Sequence, residues 1–334
     1  MTWIKTLPGE PDYVYFERLP YTIYPKESPR FKLGFDPVNL YLTGCFVYLE
    51  NNEPKARFAF YENPLLRYNN RKVACIGSYE CVKNTEIAER TLEFAKEIAR
   101  SKDYGFLIGP MEGATWNNYR FTDDFKEGPF FMEPYHHPYY PEQFRASGFN
   151  IIAKYASNLD NKLFYDQKEI DEKKEEFLNA GLRIRNIDLT NFREELNKMA
   201  CFCNAAFKDN FLFTPIKADV FLDKYLKFKD KIDPEFFLIV ENRDQEIVGL
   251  FFPVKDFNDH SEQRFILKTM ARTKDFPVPG MVRFLGQKTI KTALKKGFRE
   301  VIHAFILQEN VSVEISNRFM GKPYKSHSLY GTEL

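Results

Sequence analysis

The sequence has few of the residues that mark a metalloprotein or a disulfide-stabilised domain. Its 334 residues include five cysteines, an odd number, and none of them forms a CxxC pair or has histidine partners at zinc-ligand spacing. We therefore expect no metal site and reduced, mostly buried thiols. The cysteines are Cys45, Cys75, Cys81, Cys201 and Cys203.

A charge excess and long apolar runs are also missing. The formal net charge is +1, from 48 basic and 47 acidic residues, so the chain as a whole has no electrostatic preference for nucleic acid or an anionic membrane. No segment approaches the roughly 18 apolar residues of a membrane span, and residues 1–10 lack the basic and apolar regions of a signal peptide. We expect a cytoplasmic enzyme or binding protein without nucleic-acid or membrane partners.

The chain is rich in aromatic residues, with 34 Phe and 19 Tyr, and its length exceeds that of a usual single core. A polar, charged stretch at residues 158–179 separates two halves, and its central charge run at 171–176 predicts a solvated helix. The predicted domains are residues 1–160 and 161–334.

The order of predicted elements repeats in the two halves. The first half contains hairpin strands, a third strand, a helix and two further strands, at 44–50, 55–61, 73–79, 84–102, 106–108 and 149–155. The second half contains a strand, two helices, hairpin strands, a strand, a helix, a strand and a short helix, at 182–187, 191–207, 218–229, 236–241, 247–254, 264–273, 280–297, 301–307 and 312–319. The sequence echo between residues 118–121 and 316–319 adds support for an internal duplication.

The element order of the second half resembles the GNAT acyltransferase superfamily. In that family a glycine-rich loop follows the fourth strand and opens a helix that ends at another glycine. Here Gly280 and Gly297 stand at those two positions, while Pro277 replaces a Gln or Arg and Val282 replaces the second glycine. The resemblance implies an α/β (α+β) chain of two consecutive GNAT-like domains, each a mixed, mostly antiparallel twisted sheet flanked by helices. Similar paired domains occur in peptidoglycan aminoacyl transferases and N-myristoyltransferases.

The resemblance also implies a site for an acyl-CoA. A helix N-terminus presents backbone N–H groups and partial positive charge to the pyrophosphate. The helix at 281–296 has no acidic residue and five basic ones, although these could instead be the solvated face of an amphipathic helix. The candidate cofactor-binding residues are Met270, Val278, Pro279, Gly280, Met281, Val282, Arg283 and Asn310.

Amine acylation needs an oxyanion partner, a route for the amine proton and an acid for the departing thiolate. By resemblance, the backbone of residues 268–271 is the oxyanion partner and a tyrosine after the fifth strand is the acid. The candidates are Tyr324 and Tyr330, with Glu309 as a proton relay through water, but each tyrosine is also an ordinary core or rim residue. Asn310 would contact the pantetheine arm or simply form a turn.

The first half departs from the family pattern at its cofactor loop. Residues 81–86 contain no glycine, and Glu86 and Glu89 occupy the first helical turn, where they would repel a pyrophosphate. We therefore expect a degenerate first domain that shapes the substrate cleft. A Gly- and amide-containing loop at 109–118 is either a ligand loop or part of a packed aromatic surface.

The sequence thus favours an N-acyltransferase that uses acetyl-CoA or another acyl-CoA, without metal, on a small-molecule or peptide amine. One alternative is a non-catalytic GNAT-fold protein that binds a ligand or acts as a scaffold. Another is an aminoacyl-tRNA-dependent transferase, which the near-zero net charge disfavours.

Overall fold

The computed structural model describes residues 2–32, 40–274, 278–308 and 321–334. The chain divides into two compact units. The first comprises Met1–Tyr155, Leu212–Thr214 and Lys325–Leu334, and the second comprises Ala156–Phe211 and Pro215–Tyr324.

The described residues form strands and α-helices that are numbered here in chain order. The strands are β1 (Thr2–Thr6), β2 (Leu42–Glu50), β3 (Glu53–Tyr61), β4 (Arg67–Tyr68), β5 (Arg71–Cys81), β6 (Phe106–Gly109), β7 (Phe121–Thr122), β8 (Asn150–Asp160), β9 (Arg183–Asn186), β10 (Leu238–Glu241), β11 (Ile247–Lys255), β12 (Arg264–Arg272), β13 (Glu300–Leu307) and β14 (Lys322–Glu333). The helices are α1 (Tyr13–Ile23), α2 (Thr85–Ser101), α3 (Tyr140–Ala146), α4 (Gln167–Asn179), α5 (Phe192–Ala206), α6 (Ala218–Leu226) and α7 (Met281–Lys295).

Both units repeat one topology. In the first, the strand order is β1-β2-β3-β5-β6-β14, and only the β5–β6 pair, which α2 connects, is parallel. In the second, the order is β13-β12-β11-β10-β9, and only the β12–β13 pair, which α7 connects, is parallel. A parallel pair needs such a crossover connection, whereas the antiparallel pairs follow from short turns. The predicted α/β class with mixed, mostly antiparallel sheets is confirmed.

Several elements of the first unit were not predicted, among them β1, α1 and α3 and the two-residue strands β4 and β7. Strand β1 is short, and α1 contains Pro20 and has no acidic residue in its first turn, so neither shows a clear sequence signal. Helix α3 lies in an aromatic segment whose periodicity is obscured by neighbouring prolines and tyrosines. The predicted short helix at 312–319, including the echo at 316–319, lies outside the described residues.

Strand β14 carries the end of the chain into the first unit. It pairs antiparallel with β6, Tyr330 opposite Gly109, and Tyr330 belongs to a core cluster that includes Phe121 and Phe144. The sequence predicts residues 325–334 as part of the second domain, because it does not reveal that their pairing partner β6 lies more than half the chain away. A buried ion pair between Lys325 Nζ and Glu133 Oε2, 2.8 Å apart, ties the strand to the same unit.

His136 makes the stability of the first unit sensitive to acid. The Thr122 N–H donates to His136 Nε2 at 2.8 Å, while His136 Nδ1 lies 2.9 Å from the His137 carbonyl oxygen. Burial lowers the pKa of His136 from 6.5 to about 4. A proton on Nε2 would face another N–H donor, so the folded protein favours the neutral ring.

The free energy of unfolding should therefore fall as the pH drops from 6.5 to about 4, since the unfolded chain binds the proton first. The contribution of His136 amounts to roughly 3 kcal/mol over that window. Urea denaturation at a series of pH values, compared with His136→Gln, measures it. An equally steep pH dependence in the variant would contradict this assignment.

Candidate functional site

Strands β12 and β13 separate partway along their length. Their parallel register runs from Arg264 opposite Glu300 to Leu267 opposite His303, although β12 continues to Arg272 and β13 to Leu307. At the same level the β11–β12 ladder has an irregularity between Phe252 and Pro253 that leaves Lys268 as the extra residue. Beyond Leu267, the edge of β12 that faces away from β11 lies outside the β13 ladder and is placed to pair with an extended ligand.

Helix α7 begins close in sequence to this strand end, and its start is open. Gly280 occupies the N-cap position with φ of 84°, and neither a side-chain cap nor an acidic residue is present in the first turn. The first intrahelical bond runs from the Phe284 N–H to the Gly280 carbonyl oxygen. The N–H groups of residues 281–283 precede that bond, as at any helix N-terminus, and can bind an anion.

The side chains of the predicted loop anchor the helix start rather than reach outward. Val278 and Met281 are buried in an apolar cluster with Phe284 and Leu285, and Met270 packs partly buried against that cluster. A Cβ atom at Gly249 would overlap Met281 Sδ, so a glycine on β11 makes the close approach possible. Pro279 and Gly280 are exposed and Val282 is half-buried, so the backbone is the part that faces solvent.

The basic character of α7 is weaker than the sequence implies. Arg283 Nη2 donates to Glu169 Oε2 of α4 at 2.8 Å, and Lys296 Nζ pairs with Asp233 at 2.6 Å. Lys288 has no carboxylate partner among the residues that the structure describes; it is half-buried, and burial together with the nearby Lys174 and Lys291 lowers its pKa. The remaining positive charge is therefore concentrated around Lys288.

Lys173 is a further cation at the helix start, and sequence reasoning missed it. Its Nζ donates to the Pro279 carbonyl oxygen at 3.3 Å and pairs with Glu176. It belongs to α4, which the charge run correctly predicted as a helix. The run gave no indication that this helix packs against α7, because the contact joins residues 106 positions apart.

The predicted catalytic residues fall in different places. Glu309 and Asn310 lie outside the described residues. Tyr324 is half-buried in the second unit, and the Arg264 guanidinium carbon lies 6.0 Å from the centre of its ring. Tyr330 is fully buried in the first unit, where its hydroxyl accepts a hydrogen bond from Arg145 Nη1 at 3.0 Å. The structure thus groups Tyr324, but not Tyr330, with the unit that contains the Gly280 loop.

In the first unit, β5 and β6 also separate partway along their length, but a loop of the same unit contacts β5 at the point of separation. The β5–β6 ladder ends at Cys75 opposite Ile108. Beyond it, the Met111 N–H donates to the Ile76 carbonyl oxygen at 2.8 Å, and the Ser78 hydroxyl donates to Glu112 Oε1 at 2.9 Å. The loop at 109–118, a candidate ligand loop on sequence, therefore contacts the edge of β5 that no longer pairs with β6.

The far end of β5 and the start of α2 are also occupied. The Cys81 N–H donates to the Tyr140 hydroxyl at 3.1 Å, and the Tyr139 hydroxyl donates to the Cys81 carbonyl oxygen at 2.9 Å. Helix α2 is capped by Asn84, whose Oδ1 accepts from the Ile87 N–H at 3.0 Å, and Glu86 lies in its first turn. The start of α2 is therefore blocked by a side-chain cap and an acidic residue, whereas the corresponding start of α7 at Gly280 has neither.

Within the described ranges, no group of three or more His, Cys, Asp or Glu residues is arranged to hold a metal ion. His136 and His137 point to different partners, Thr122 and the Ile23 carbonyl oxygen. None of the described helices is both long and apolar enough to cross a membrane.

Comparison with solved structures identifies the fold. A glucosamine N-acetyltransferase region of a fungal multi-domain β-N-acetylglucosaminidase matches 99% of this chain with a TM-score of 0.60 and 11% identity; the chain spans 38% of that protein. A tandem GNAT protein from the clavulanic acid biosynthesis pathway matches with a TM-score of 0.54 and 11% identity, covering 99% of this chain and 98% of that one. A GCN5-related N-acetyltransferase from Sphaerobacter thermophilus matches with a TM-score of 0.55 and 11% identity, covering 99% and 95%.

No protein-family model and no curated protein sequence matches this chain. The structural matches nevertheless cover nearly the whole chain and include a tandem GNAT protein of the same length class. The chain therefore has the tandem GNAT fold that its element order and Gly280 loop indicated.

Proposed function

We propose that the second unit binds an acyl-CoA, by default acetyl-CoA, and that the protein transfers the acyl group to an amine. The observation that carries this proposal is the start of α7 at Gly280, which has no side-chain cap and no acidic residue in its first turn. It follows β12, whose edge beyond Leu267 no longer pairs with β13. An extended pantetheine arm can pair with such an edge, and a pyrophosphate suits such a helix start. The named acetyltransferases of the same fold support the proposal.

The donor would be held mainly by backbone. The N–H groups of residues 281–283 would bind the pyrophosphate, and Gly280 would let it approach closely. The cations around Lys288, which repel one another, would be stabilised by phosphate charge. Acyl-CoA would supply a thioester, whose carbonyl carbon accepts the amine nitrogen.

The chain's own residues would then handle charge and protons. Backbone N–H groups of β12 beyond Leu267 would stabilise the developing oxyanion. Tyr324 is the proposed proton donor to the leaving thiolate, since Tyr330 is buried and its hydroxyl is bound to Arg145. Glu309 and Asn310 keep their proposed roles as proton relay and pantetheine contact. In the first unit, the filled β5 edge and the Asn84 cap favour a steric role.

A non-catalytic, ligand-binding function is the second candidate. Val282 favours it, because a half-buried β-branched side chain stands where the family loop has a small residue. Thermal shift with CoA and acetyl-CoA, followed by thiol release from acetyl-CoA with a panel of amines, distinguishes the two. Binding with turnover supports the transferase, and binding without turnover on any amine supports a non-catalytic protein that binds acyl-CoA. No binding of either compound contradicts the transferase.

Charge reversal at Lys288 tests the proposed phosphate contact. Lys288→Glu should weaken CoA binding by about tenfold or more, because it replaces a favourable charge with a like charge near the phosphates. Isothermal titration calorimetry measures the change, and Lys295→Glu, an exposed position on the same helix, is the matched control. An equal loss of CoA affinity in both variants would indicate a general effect of the net charge and contradict a phosphate site at Lys288.

A further inference from the structure

Lys268 is a half-buried cation that the described residues do not neutralise. Its Nζ lies 5.2 Å from the ring centre of Tyr225 on α6 and 5.9 Å from that of Phe252 on β11. Lys268 has no carboxylate within ion-pair distance in the part of the chain that the structure describes. Aromatic rings attract a cation but do not accept the three hydrogen bonds that an ammonium group can donate.

Two arginines of this unit have carboxylate partners that compensate their buried charge. Arg185 pairs with Glu195 and Glu241, and Arg264 pairs with the fully buried Asp256. A partly buried charge without a partner is unfavourable, and a bound anion would remove that penalty. Unlike these two arginines, Lys268 has no carboxylate partner among the described residues, and a bound anion would supply the compensating charge.

The place of Lys268 in the sheet connects it with the proposed reaction. It is the extra residue of the β12 irregularity and directly follows Leu267, where the β12–β13 ladder ends. Phe251 packs in the cluster with α7, whereas Phe252, the next residue on the strand, lies beside Lys268 and therefore on the opposite face. Lys268 thus lies on the face of the sheet opposite α7, beside α6 and next to the point where the β12–β13 ladder ends.

We propose that Lys268 binds a carboxylate or phosphate group of the acceptor, so that the substrate class is amines that carry an anionic group. This inference rests on the proposed function for the identity of the acceptor, but not for the anion site itself. The Tyr225 and Phe252 rings lie near the ammonium group but accept none of its conventional hydrogen bonds, so its N–H donors would remain for the anion.

Matched acceptors test the substrate class in the full chain. The pairs are tyrosine with tyramine and glucosamine 6-phosphate with glucosamine, and thiol release from acetyl-CoA is followed. The member with the anion should be preferred, and Lys268→Met should raise its KM by about tenfold or more while leaving the other member unchanged. Lys268→Arg should keep the preference, and Lys295→Met is the control for a lost surface charge. No preference, or an equal KM change for both members, would overturn the substrate class.

A second measurement does not depend on turnover. NMR of the chain with ¹³C-labelled lysines, titrated separately with inorganic phosphate and with acetate, should shift the Lys268 signal saturably, and Lys268→Met identifies that signal. A response to only one of them tells which anion the site takes. A saturable shift in a protein that binds no acyl-CoA would refute the proposed function and retain the anion site. No shift with either anion would overturn the inference, whatever the catalytic result.

Discussion

Replacement of Gly280 by aspartate is expected to abolish acyl-CoA binding. Gly280 occupies the N-cap position of α7 with φ of 84°, so an aspartate side chain there would stand beside the N–H groups proposed to bind the pyrophosphate. A like charge about 4 Å from a phosphate, at the effective dielectric of a protein surface, is unfavourable by several kcal/mol. We expect an affinity loss of about 100-fold or more in calorimetry with acetyl-CoA.

Gly280→Asn is the matched control for this prediction. Asparagine has nearly the same size and the same tolerance for a positive φ, but no charge. The space is adequate, since a Cβ atom would lie 3.6 Å from Lys173 Cε. Asparagine should therefore reduce affinity only modestly, and both variants should unfold near the wild-type temperature. Undiminished affinity in Gly280→Asp would remove this loop as the cofactor site.

Lys325→Met should strongly destabilise the first unit. The ion pair between Lys325 and Glu133 is almost fully buried, with side-chain exposures of 2% and 1%. Removal of one partner leaves a buried carboxylate uncompensated, which lowers the free energy of unfolding by roughly 3–5 kcal/mol. Both tryptophans of the chain, Trp3 and Trp116, lie in the first unit, so tryptophan fluorescence during urea denaturation reports this loss.

Two further variants distinguish the loss of the ion pair from the mere loss of a lysine charge. Lys126→Met removes an exposed lysine of the same unit and should change stability little. Addition of Glu133→Gln to Lys325→Met removes the unpaired buried carboxylate and should restore part of the lost free energy of unfolding. If Lys325→Met were no more destabilising than Lys126→Met, residues 325–334 would not stabilise the first unit.

Local sequence patterns were sufficient for the repeated order of elements and for the helix start at Gly280. These features depend on periodicity, turn residues and capping signals that act over a few positions. Likewise, the segment Asn84–Glu86 predicts a capped helix start in the first half, and Asn84 is the N-cap of α2.

The features that sequence reasoning missed depend on contacts between distant residues. Glu169 neutralises Arg283, and Lys173 reaches Pro279, only because α4 packs against α7. The pairing of β14 with β6 places Tyr330 in the first unit although it follows the second half in sequence. The contact of Met111 with the β5 edge likewise joins a loop to a strand without any shared motif. No single-sequence pattern encodes these partners.

We propose that one acyl-CoA binds at the start of α7 and that none binds at the corresponding start of α2. Hydrogen–deuterium exchange of the full chain, with and without saturating CoA, tests both halves in one measurement, because bound backbone N–H groups exchange more slowly. We expect slower exchange in peptides covering 278–285 and unchanged exchange in peptides covering 84–92. Protection at 84–92, or CoA binding that leaves 278–285 unprotected, would contradict it.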